Sequence, residues 1–218
     1  MNRRSAPPPR APGRPAPAGA TPGTVRIIGG HWRGTKLPVA DVAGLRPTSD
    51  RVRETLFNWL QPILPGARVL DLFAGSGALG LEAVSRGARE AVLVERDPAL
   101  AANLRQIAAR LPDGDRVQVI CADALAWLRE ASGGFDLAFV DPPFAGALWR
   151  PALEALTPQL AAEAWLYVES PPDADAAPGA GWRLHREGRT RDVRYALYRR
   201  EPADAAAEAA VGSGARGD

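Results

Sequence analysis

A single cysteine, Cys121, in 218 residues leaves no partner for an internal disulfide and no cysteine-based metal cluster, which fits a reducing compartment. With only two histidines, His31 and His185, no zinc or other metal is expected. No apolar run approaches the roughly 20 residues of a membrane span, and the Pro/Arg-rich start lacks the apolar stretch of a secretory signal. These absences predict a cytoplasmic protein without a membrane partner. Large apolar residues are also scarce at both ends. Residues 1–24 are mostly Pro, Ala, Gly and Arg, and residues 201–218 hold small residues and a Gly-rich end. Neither segment can bury enough apolar surface to offset the entropy of ordering, so both read as disordered arms.

Between them, a chain that is 46% hydrophobic overall supports one α/β domain and is too short for two large ones. The charge is unevenly spread. Residues 1–60 hold ten Lys/Arg against three Asp/Glu, a net +7, and the remainder carries −5. A polyanion is therefore expected to dock on the N-terminal part.

Arg26–Val39 contains short β-favouring pieces broken by Gly29, Gly30 and Gly34, which predicts a small hairpin with Arg26, His31, Arg33 and Lys36 on its exposed side. Trp32 reads either as a ring that stacks on a base or, in preference, as an anchor fixing that hairpin to the domain. Thr48 or Ser49 can cap a following helix in which Val52, Leu56 and Leu60 recur at helical spacing, leaving Arg51, Arg53 and Glu54 on its polar side. The hairpin and helix form an expected unit over 25–62, followed by the main domain over 63–200. There, strands near Arg68, Ala91, Val117, Phe135 and Ala164 alternate with helical segments, which predicts a parallel sheet covered on both faces. The segment from Trp182 to Arg200 alternates about a turn near 187–192, as in an antiparallel edge hairpin. Its arginines are expected either to extend an RNA surface or simply to be solvated.

The turn DLFAGSGALG, from Asp71 to Gly80, follows a strand and opens a helix. Gly75, Gly77 and Gly80 fit the dinucleotide fingerprint, and Glu95 ends the next strand 20 residues after Gly75, where a carboxylate accepts ribose hydroxyls. A nucleotide-like ligand is expected. The carboxylate of Asp71 at the mouth of this turn opposes a pyrophosphate but favours the cationic ammonium and sulfonium of S-adenosylmethionine. Asp123 is placed to accept from an adenine amino group or to cap the next helix, and Asp97 reads as an N-cap. Cys121, at the end of an apolar strand, is expected to be buried.

At the end of the fourth strand of the main domain stands Asp141-Pro142-Pro143-Phe144. An exocyclic base nitrogen is a poor nucleophile because its lone pair is delocalised. The Asp141 carboxylate and the Pro142 carbonyl can accept its two N–H bonds and aim the lone pair, the prolines stiffen the loop, and Phe144 can stack on the base. Such a base must be unpaired or flipped out.

Taken together, GGHWRGTKL, LRPTSDRVRETLFNWL, LDLFAGSGALGLEA, FVDPPF and LYVES closely resemble the RsmD family of bacterial small-subunit ribosomal RNA guanine-N2 methyltransferases, over about residues 25–200. The resemblance implies a Rossmann-like class I methyltransferase fold, with a mostly parallel seven-stranded sheet, an antiparallel edge hairpin, and a small N-terminal β-hairpin and helix. It further implies S-adenosylmethionine as donor and a guanine of 16S ribosomal RNA in a small ribosomal subunit precursor as acceptor; a monomer is expected. The family's cofactor motif falls on Asp71, Phe73, Gly75, Gly77, Glu95 and Asp123, and its catalytic motif on Asp141 to Phe144. In the segment before the first long strand, the resemblance puts Arg46 and Thr48 at the donor's methionine end and Arg46, Arg51 and Arg53 towards RNA. The alternatives are a DNA adenine-N6 or cytosine-N4 methyltransferase, opposed by the lack of a target-recognition domain, and a noncatalytic RNA-binding assembly factor. An NAD oxidoreductase is the third, opposed by Asp71.

Overall fold

The computed structural model describes residues 23–38 and 49–201. The first strands, β1 (Thr24–Arg26) and β2 (Lys36–Pro38), pair antiparallel. Helix α1 (Asp50–Leu60) is capped by the Ser49 hydroxyl, which accepts from the Val52 N–H. Five strands follow in alternation with helices: β3 (Arg68–Asp71), α2 (Ala78–Ser85), β4 (Glu90–Glu95), α3 (Pro98–Ala108), β5 (Val117–Cys121), α4 (Ala124–Leu128), β6 (Phe135–Val140), α5 (Trp149–Leu156) and β7 (Leu160–Ser170). The closing hairpin is β8 (Trp182–Arg189) with β9 (Arg194–Arg200). Its turn is tighter than the sequence pattern suggests, because β8 runs on to Arg189 before the Thr190 N–H and side chain close onto Val193.

The sheet order is β5-β4-β3-β6-β7-β9-β8, with β3 to β7 parallel and β9 antiparallel to both neighbours. The chain winds outwards from β3 to β5, then returns to β6 on the other side of β3. This reversal opens a crevice beyond the carboxyl ends of β3 and β6, the place where such sheets take ligands.

Two apolar layers cover the sheet. One joins Val25, Ile27, Trp32, Leu56, Phe57, Leu81, Leu104, Phe139 and Tyr167, so the hairpin and α1 share a core with α2 and α3. The other joins Leu70, Val92, Leu128, Val140, Leu153 and Val168 beneath α4 and α5. Alternation along β6 and β7 sends Leu137, Phe139, Trp165 and Tyr167 to the first layer and Ala138, Val140, Leu166 and Val168 to the second. Leu56, Phe57 and Leu60 are fully buried, and each contributes on the order of 1.5–3 kcal/mol by leaving water.

The hairpin is fastened to the far end of α2. Ile28 and Gly29 N–H groups donate to the two Glu82 carboxylate oxygens at 2.7 Å each. The His31 N–H donates to the Ser85 carbonyl at 2.8 Å, and the Trp32 indole N–H to the Pro112 carbonyl at 2.9 Å. A Cβ at Gly30 would lie 1.8 Å from the Ser85 carbonyl oxygen, so only glycine permits this approach. Trp32 is the anchor its sequence context predicts.

Candidate active site

The turn between β3 and α2 is built around two carboxylates and three glycines. Asp71, the last residue of β3, is buried and accepts from the Gly80 N–H at 2.9 Å. This carboxylate therefore does not stand unpaired at the mouth of the turn, as its position in the sequence suggested, but braces the first helical turn from behind. Burial pushes its pKa up to about 7; the Gly80 N–H opposes that shift and the nearby Glu95 charge reinforces it. Glu95, at the end of β4, accepts from the Gly75 N–H at 2.8 Å and from the Asp97 N–H at 2.7 Å. It thereby ties the loop to the neighbouring strand.

Gly77 has φ 75°, and a Cβ there would meet Leu104 at 2.5 Å; at Gly80 a Cβ would meet Leu93 at 2.6 Å. The first glycine caps α2 in a left-handed conformation and the second lets α2 pack against the sheet. Phe73 is half-buried against the second layer. Asp97 caps α3 by accepting from Ala99 and Leu100 N–H groups. Asp123 is exposed and caps α4, accepting from the Ala126 N–H at 2.9 Å. One side chain thus serves as N-cap while standing beside the carboxyl ends of β4 and β5.

Asp141 follows β6 and is half-buried; Pro142 is buried, whereas Pro143 and Phe144 are exposed. The loop then turns through a short 3-10 segment, Phe144–Gly146, into Ala147 at φ 45°. A left-handed alanine is a strained backbone position of the kind that persists where surrounding structure holds it. The Phe144 ring remains 41% exposed, although its centroid lies 5.9 Å from that of Trp149. Trp149 in turn donates to the Glu169 carbonyl at 2.8 Å, bracing the loop against the end of β7.

Sequence reasoning missed the pair beside Asp141. Val140 is in register with Val168, so Asp141 and Glu169 are neighbours on the face that also carries Tyr167. The Tyr167 hydroxyl donates to Glu169 Oε2 at 3.0 Å, and both residues are buried. Burial, then the charges of Glu169 and Asp141, hold the Tyr167 phenol well above its ordinary value. The alternation Tyr-x-Glu at the end of a strand was the available signal, since it puts both groups on one face.

Other expected site residues are dispersed. His31, Arg33 and Lys36 are exposed on the hairpin, at the opposite end of α2 from the glycine turn. Arg51 is exposed on the first turn of α1. Arg53, expected on the polar side facing RNA, is instead fully buried. It donates to the Arg26 carbonyl at 2.8 Å and to Asp50 at 2.6 Å, with Glu82 at 3.9 Å. Its spacing from Phe57 and Leu60 places it on the apolar stripe, and the docked hairpin closes over it. Cys121, expected to be buried, is exposed, because β5 is the sheet's edge strand. Arg46 and Thr48 lie outside the described residues.

The reversal of strand order at β3, the glycine turn and the Asp-Pro-Pro-Phe loop at the end of β6 define a Rossmann-like class I methyltransferase. Residues 25–199 match the family model described as "Conserved hypothetical protein 95", and the chain belongs to that family, the RsmD family. It is 49% identical to the "Ribosomal RNA small subunit methyltransferase D" of Escherichia coli (strain K12), over 82% of this chain and 91% of that protein. It is 42% identical to the protein of the same name from Haemophilus influenzae, over 81% and 94%. Among solved structures, the "Putative methyltransferase yhhF" from Escherichia coli superposes with a TM-score of 0.74 at 48% identity, covering 83% of this chain and 99% of that one.

Proposed function

We propose that this protein transfers a methyl group from S-adenosylmethionine to the exocyclic N2 amine of a guanine in 16S ribosomal RNA, within an assembling small subunit. The observation that carries the reading is the Asp141-to-Phe144 loop, with a carboxylate and a partly exposed ring at the carboxyl end of β6, next to the crevice beside β3. The names of the two bacterial relatives support ribosomal RNA as the substrate class.

The residues of the turn fit a cationic nucleoside better than a pyrophosphate. The Glu95 carboxylate is held in the turn by the Gly75 N–H at 2.8 Å, and its charge beside the N-terminus of α2 opposes a phosphate there. Asp71, Phe73, Gly75, Gly77, Glu95 and Asp123 would hold the donor, with Thr48 near its methionine end. When bound, S-adenosylmethionine supplies an electrophilic methyl group on sulfur.

The rest of the chemistry belongs to this chain. Asp141 carboxylate and Pro142 carbonyl accept the two N–H bonds of the base amine and orient its lone pair, which supplies the in-line geometry that transfer needs. Phe144 stacks on the flipped base. The extra proton on the nitrogen after transfer passes to Asp141 or to water. Arg33, Lys36, Arg46 and Arg51, with His31, contribute contacts to RNA phosphates.

The test is incubation with labelled S-adenosylmethionine and, separately, methyl-deficient small subunits, free ribosomal RNA and duplex DNA, followed by nucleoside analysis with Asp141→Ala as control. N2-methylguanosine from subunits, lost in the variant, is the expected result. Label only in DNA adenine or cytosine overturns it.

A further inference from the structure

One face of the closing hairpin carries charge that the proposed chemistry does not use. Arg183 pairs in register with Arg199, and Arg199 with Trp165 on β7, so the three side chains stand on one face. Arg186 is opposite Leu197, a member of the same apolar layer as Tyr167, and therefore points to that face too. His185 sits at the irregularity between Leu184 and Arg186, its ring 4.9 Å from Trp165 and at 83° to it. The Arg199 guanidinium lies 5.6 Å over the Trp165 ring. Partial burial and then Arg186, Arg183 and Arg199 in turn lower the His185 pKa, so all three guanidiniums converge on one imidazole. Among the described residues, the acid that pairs with this cluster is Glu163, 3.5 Å from Arg199 and itself 75% exposed.

Protecting an edge strand from pairing needs charge along the strand. It does not need three like charges gathered on one face beside an aromatic ring, an arrangement that costs repulsion unless an anion relieves it. We propose that this cluster, with Arg183, Arg186 and Arg199 around His185 and Trp165 as its apolar floor, is a second RNA-docking site that takes backbone phosphates of the RNA whose base enters at Asp141. The inference rests on the RNA reading above and adds a surface on the closing hairpin. Trp165 lies four residues back along β7 from Glu169, and β8 lies three strands from β6. At ~3.3 Å per residue and ~4.8 Å per strand, the cluster is on the order of 20 Å from the catalytic loop. A structured RNA spans that distance. Charge complementarity and a ring beside guanidiniums fit a polynucleotide.

The test measures binding of the full chain to methyl-deficient small subunits and to 16S ribosomal RNA across a salt series, together with steady-state transfer. Arg183→Ser/Arg186→Ser, at two exposed positions, should weaken RNA affinity roughly tenfold and lower the slope of log K against log salt by about two. KM for RNA should rise while kcat at saturation stays unchanged. Glu163→Gln should act in the opposite direction and tighten binding. Unchanged affinity and slope in the double variant, with normal transfer by the unsubstituted protein, overturn the docking site alone. Failure of the unsubstituted protein to bind or methylate RNA overturns the docking site together with the proposed function.

Discussion

The Tyr167 hydroxyl and the Glu169 carboxylate, 3.0 Å apart and both buried, stand on the face of β7 next to Asp141, so a hydrogen-bonded phenol and carboxylate underlie the loop that would hold the base. Tyr167→Phe removes the donor from a buried carboxylate and should cost about 1–3 kcal/mol of stability in urea titrations. Adding Glu169→Gln should recover part of that loss, because a neutral amide is cheaper to bury than a carboxylate. Purely additive losses would show that the two groups act independently.

Asp141 should separate catalysis from donor binding. Asp141→Asn keeps the shape of the loop but weakens the acceptor, and kcat should fall about a hundredfold or more with the donor's Kd unchanged. Calorimetric binding alongside single-turnover transfer checks both halves. Phe144→Ala, by contrast, should raise KM for RNA more than it lowers kcat.

The Asp71 carboxyl, raised from 3.8 to about 7 chiefly by burial, makes stability depend on pH. The fold favours its protonated form, so that contribution is complete below about pH 4, declines as pH rises through about 7, and is flat beyond. Asp71→Asn should therefore gain stability relative to the unsubstituted protein at about pH 8 compared with about pH 5. Urea midpoints at the two pH values measure the difference; an equal offset at both would contradict the assignment.

Arg53 and Arg51 lie two residues apart and should respond oppositely. Arg53→Ala strips a buried guanidinium from Glu82 and the Arg26 carbonyl, costing about 3 kcal/mol. Arg51→Ala, at an exposed site, should leave stability within about 0.5 kcal/mol while weakening RNA binding. Thermal melts and filter binding on both variants distinguish the roles.

Caps and periodic stripes were legible because they are decided within a few residues. Ser49, Asp97 and Asp123 cap α1, α3 and α4 since a short side-chain oxygen reaches the N–H two or three positions on. The glycine turn was legible for the same reason: its left-handed geometry is a local demand. Arg53 was misread because its polarity masked its place on the stripe with Phe57 and Leu60, and only the hairpin folded over α2 shows what encloses it.

The sequence by itself determined the alternation of strands and helices and the order of its motifs, through spacing and composition. Tertiary structure alone decided that Asp71 faces inward behind the turn, that Cys121 is exposed at the end of the edge strand, and that Tyr167 and Glu169 adjoin Asp141. Those outcomes depend on which strands become neighbours and which edge stays open, and strand pairing joins residues far apart in the chain.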